Sequence, residues 1–96
     1  MRKYYRNVCI YIIKQYKEDY YKIGSSNNLK SRLTDLQIGN PKKLRTVYKS
    51  ELCHRGAEGE VHSLLKKYSI RGEWYKLDKE ALAFTKKVIK GATSRI

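Results

Sequence analysis

Glu58 and His62 lie four positions apart in a segment, Arg55 to Tyr68, whose apolar residues recur with a helical period. Four helical residues turn the chain through ~40° beyond a full circle, so the carboxylate and the imidazole share a face. An imidazole placed there can shuttle a proton, orient the carboxylate or contact a phosphate. Taken alone, a glutamate at this position reads as a solvated helix residue, because glutamate is seldom buried. Glu60 is turned ~200° from Glu58, so the two do not easily serve one centre. Arg32 sits beside Leu33 at the edge of another apolar stripe. Its forked guanidinium can bind a phosphate through two N–H groups at once.

The charge balance says what such groups would meet. The 96 residues carry 22 Lys plus Arg against 9 Asp plus Glu, a formal net charge of +13. Like charges at this density repel one another unless a polyanion accepts them. Nucleic acid is the expected partner, held through phosphate contacts and counterion release. An anionic membrane surface is the rival. Nine tyrosines are a second bias. A few can stack on bases, but most read as half-buried strand residues. Two cysteines, Cys9 and Cys53, make no disulfide framework and no zinc cluster. Cys9 reads as a buried thiol. The basic start, Met1 to Arg6, precedes an apolar stretch of only Val8 to Ile13, too short to cross a membrane or to act as a signal peptide. An intracellular setting, cytoplasmic or nuclear and not secreted, is expected.

These groups need elements to hold them. Val8 to Ile13 is apolar on both faces and reads as a central strand. Tyr20 to Gly24 is a second strand, joined to the first by a polar hairpin link. Ser25-Ser26-Asn27-Asn28 is a capping cluster before a helix over Leu29 to Gln37, with Leu29, Leu33 and Leu36 as its stripe. Gly39 suits a left-handed cap, and Pro41 blocks continuation. Leu44 to Leu52 reads as a third strand. The helix over Arg55 to Tyr68 carries Ala57, Val61, Leu64, Leu65 and Tyr68 as its stripe, with Gly59 a weak point. Arg71-Gly72 is a turn, and Glu73 to Leu77 a fourth strand. Asp78 caps a last helix from Lys79 to Lys90, and Gly91 to Ile96 reads as a frayed tail. The order is β-β-α-β-α-β-α in one domain over residues 1–96, with its core at about 8–90. The expected class is α+β: a small, mainly antiparallel sheet of three to four strands flanked by helices.

On these elements the residues resemble a known family. Ile10-Tyr11-Ile12 and Lys22-Ile23-Gly24 are similar to the two signature tripeptides of the GIY-YIG nucleases. The stretch Lys22 to Leu33 resembles that family's second motif running into its arginine helix. Leu36 to Pro41, Ala57 to His62 and Gly72 to Tyr75 are similar to the branch that includes the phage T5 Orf172-type DNA-binding domains. The resemblance covers about residues 8 to 77 and implies a GIY-YIG-like fold.

The resemblance implies metal-dependent endonuclease chemistry on DNA, with RNA not excluded. Glu58 matches the family's metal-binding glutamate, and one carboxylate suits Mg²⁺, or Mn²⁺ in its place. Arg32 matches the arginine that stabilises the phosphate. Tyr11 matches the tyrosine that positions or deprotonates water, a base role that needs its pKa to fall with help from Arg32 and Lys22. Lys22 stands where the family has a second tyrosine. With His62 these make the expected catalytic set. Gly24 is expected to allow a close backbone approach, and Trp74 to be core. Contacts to nucleic acid are expected from Ser25, Asn27, Lys30, Asn40, Lys42, Lys43 and Arg71, with Asn40 first a turn residue. Two other readings stand beside the nuclease: a nucleic-acid-binding module with little chemistry, and a hydrolase of a small phosphodiester nucleotide. A monomer or a homodimer fits either.

Overall fold

The computed structural model describes residues 8–53 and 56–94. The basic start Met1 to Arg6, the helix start at Arg55 and the last residues of the tail lie outside them. The elements are β1 (Cys9–Gln15), β2 (Tyr20–Ser26), α1 (Leu29–Ile38), β3 (Leu44–Lys49), α2 (Ala57–Leu64), a 3₁₀ turn (Lys66–Tyr68), β4 (Ser69–Arg71), β5 (Trp74–Lys76) and α3 (Lys79–Ser94). The five strands form one antiparallel sheet in the order β3-β1-β2-β5-β4. The α+β class holds, with one strand more than expected.

β1 is paired along both edges and covered on both faces, by α1 on one and by α2 and α3 on the other, which is why it is apolar on both. Ile10 and Ile12 face one side and pack with Ile23, Val61, Leu65, Leu77 and Ile89 beneath α2 and α3. Tyr11 and Ile13 face the other side, where Leu29, Leu33 and Leu36 of α1 cover them. Fully burying one such aliphatic side chain stabilises by about 1.5–3 kcal/mol, so these two layers hold the sheet. Asn28 caps α1, its Oδ1 accepting from the Ser31 amide at 3.1 Å. Asp78 caps α3 in the same way, accepting from the Ala81 amide at 2.8 Å.

Five details differ from the sequence reading. The extra strand β4 is three exposed residues at the sheet edge, too short to show any alternation. β3 ends at Lys49 because Ser50 turns back on β1, exchanging bonds with Ile10 through its amide and its hydroxyl. α2 stops at Leu64, and the tighter 3₁₀ turn carries Leu65 and Tyr68 onto the core while Leu64 faces solvent. Gly39 ends α1 at φ −91°, without the left-handed turn. α3 runs on to Ser94, because Ala92 still packs on the core.

Candidate active site

β5 pairs with β2 only along Tyr20 to Lys22. Beyond Lys22 the outer edge of β2 is met by side chains and a turn. The Ile23 amide donates to the Glu73 carbonyl at 3.1 Å. The Ile23 carbonyl lies 2.8 Å from His62 Nε2. A carbonyl only accepts, so this geometry puts the proton on Nε2 and leaves Nδ1 as the free lone pair of the ring. α2 is thereby fixed against the edge of β2. Glu58, one turn earlier on that face, sits with Oε2 3.7 Å from His62 Nε2. Its Oε1 accepts a short hydrogen bond from the Ser25 hydroxyl.

Glu73 arrives from the other side. Gly72 takes φ +57° in the two-residue link between β4 and β5, a conformation that favours glycine. That link carries Glu73 to Lys22, with Oε1 3.2 Å from Nζ. Lys22 Nζ also lies 5.8 Å from the centre of the Trp74 ring, so its charge is held from two directions. Glu58, His62 and Glu73 each offer one ligand atom, all within 4.8 Å of one another. Two of the three donors are carboxylate oxygens, the kind of ligand a hard divalent cation takes.

Tyr11 forms the floor. Its backbone is paired with Gly24, and its ring crosses that glycine. A Cβ on Gly24 would stand 2.6 Å from Tyr11 Oη and 3.1 Å from Glu73 Oε1, so phenol and carboxylate converge on one point. Tyr11 is 1% exposed. Burial pushes its pKa up to about 12. Arg32 pulls against that rise, while Glu73 and Glu58 add to it. The base role needs a lowered pKa, and burial moves it the other way: the phenol is neutral at ordinary pH. Arg32 itself lies on the exposed surface of α1, close enough for its charge to act on Tyr11.

The family model of the T5orf172 domain matches residues 8–91. The chain belongs to the T5orf172 domain family. This is a nuclease-like, DNA-binding family. No curated protein and no solved structure matches the chain.

Tyr11, Lys22, Glu58 and His62 thus come together at one end of β2, with Arg32 beside them. Ser25 is here too, but its hydroxyl is turned to Glu58. Lys30, Asn27, Lys43 and Arg71 are exposed. Lys42 is ion-paired to Glu18 at 2.7 Å. Asn40 is a turn residue: its Oδ1 accepts from the Lys42 amide at 2.9 Å. Glu73 was missed as a site residue. Its signal was the glycine before it, which marks a tight turn. Its meeting with Lys22 depends on the pairing of β2 with β5, which no local pattern encodes. No helix of the described residues is long and apolar enough to cross a membrane.

Proposed function

We propose that this chain is a metal-dependent endonuclease that hydrolyses phosphodiester bonds in DNA. The observation that carries the reading is the convergence of Glu58, His62 and Glu73 beside the Tyr11 hydroxyl. Glu58 and Glu73 would hold Mg²⁺, or Mn²⁺, beside the His62 ring. A cation held there supplies positive charge to a phosphate oxygen and lowers the pKa of bound water.

The chain's own groups do the rest. Arg32 binds the phosphate and stabilises the negative charge that develops on it. The Ser25 hydroxyl fixes the Glu58 carboxylate, and His62, pinned to the Ile23 carbonyl, stands 3.7 Å from its other oxygen. Tyr11, as a neutral phenol, orients water by hydrogen bonding instead of taking its proton. Glu73, ion-paired to Lys22 where the GIY-YIG pattern has tyrosine, is held beside that hydroxyl in place to serve as a ligand. The charge of +13 favours a long polyanion over a small nucleotide, which needs only a few cations.

The test is a substrate panel of duplex, branched and single-stranded DNA, incubated with Mg²⁺ or Mn²⁺. Cleavage of at least one member, abolished by EDTA, is expected. Binding without cleavage across the panel would leave the chain a binding module.

A further inference from the structure

The cations expected to touch nucleic acid lie around α1 and its loops, yet a denser group lies on the opposite face of the sheet. Lys86, Lys87 and Lys90 of α3 face the end of β3 across a groove that also holds Lys49. Lys86 continues this groove toward Lys14 and Arg45. Lys86 and Lys90 are one helical turn apart, a like-charge spacing that destabilises a helix by about 0.2–0.5 kcal/mol. Among the described residues none of these six cations has a carboxylate partner. Glu51 is the acid that lines the groove.

A second depression shares Lys49, Ser50 and Glu51 with the groove and is lined also by Ser26, Asn27 and Leu29 at the start of α1. Ser26 adjoins Ser25, whose hydroxyl holds Glu58. Lys49, Ser50 and Glu51 thus border both the lysine groove and the start of α1.

We infer that the groove between α3 and β3 binds the phosphate backbone of duplex DNA. The inference rests on the nucleic-acid reading and is independent of cleavage. Backbone contacts of this kind are made by unpaired lysines and carry no base preference. Each neutralised phosphate adds about 0.9 to the slope of log affinity against log salt.

The experiment measures that slope in EDTA with a fluorescent 20-base-pair duplex, so no cutting intervenes. The triple variant Lys86→Ala/Lys87→Ala/Lys90→Ala is compared with Lys66→Ala/Lys67→Ala/Lys76→Ala, which lies at the other end of the sheet. Both lower the formal charge equally, from +13 to +10. The groove variant is expected to lose about 2.7 from the slope and on the order of 10²-fold in affinity at 0.1 M salt. The control is expected to keep the wild-type slope, with unfolding temperatures confirming that both proteins fold. Equal losses in the two variants would overturn the groove, since diffuse charge would then explain binding. Failure of the wild type to bind duplex at all would overturn the nucleic-acid reading with it.

Discussion

Replacing Gly24 with alanine adds one methyl group where the Tyr11 ring crosses β2. The new carbon would meet Tyr11 Oη at 2.6 Å, Tyr11 Cζ at 2.9 Å and Glu73 Oε1 at 3.1 Å. The ring cannot swing aside, because Tyr11 is 1% exposed and covered by α1. Inserting a methyl group into a packed site costs about 1–3 kcal/mol. Alanine in a strand otherwise gains about 0.5–1 kcal/mol over glycine. The net effect is a loss of about 1 kcal/mol, or a fall of about 4–8 °C in Tm for a domain of this size. Circular dichroism melts measure it. The cause is checked by adding Tyr11→Phe, which removes Oη and its 2.6 Å contact. The double variant should recover part of the loss, a coupling of the kind neighbours show. An unchanged or raised Tm for Gly24→Ala, or strict additivity with Tyr11→Phe, would refute the close-approach argument.

Three further outcomes follow from single contacts. Ser50 is 7% exposed, and its Oγ accepts from the Ile10 amide at 2.9 Å; Ser50→Ala strands that buried amide and should cost about 1–3 kcal/mol, read as a lower Tm. Burial raises the Tyr11 pKa from the ordinary 10.0 to about 12, so its contribution to stability is complete below pH 10 and is lost as pH rises toward 12. Tyr11→Phe should therefore flatten the fall of Tm between pH 10 and 12, and an unchanged profile would contradict the burial argument. Glu73→Gln should leave Tm within a few degrees of wild type, since its ion pair with Lys22 is partly exposed, while raising the Mg²⁺ concentration needed for half-maximal cleavage; an unchanged requirement would remove Glu73 from the site.

Much of this architecture was legible because its signals are local. The apolar run of β1, the Asn28 and Asp78 caps and the leucine stripe of α1 are patterns a few residues long, set by backbone geometry and burial. The helical spacing of Glu58 and His62 was likewise readable, and the two do share a face. What was not readable depends on pairings between distant segments. β4 exists only because β5 is there to pair with it, and Glu73 reaches Lys22 only through that hairpin. Ser25 read as part of a capping cluster and as a contact to nucleic acid, and its commitment to Glu58 required α2 to dock on the edge of β2. The Tyr11 pKa follows the same rule. Its cationic neighbour Arg32 was visible in the sequence, whereas the burial that outweighs it came from packing.

The most direct measurement compares wild type with Glu58→Gln on the same labelled duplex, scoring cleavage with Mg²⁺ and binding in EDTA. The substitution keeps the side chain's size and an oxygen to accept from Ser25, and removes the negative charge a cation needs. Cleavage lost at least a hundredfold, with binding within a few fold of wild type, is the predicted result. Equal cleavage by the two proteins would contradict the assignment of Glu58 as the metal-holding group at the heart of the site.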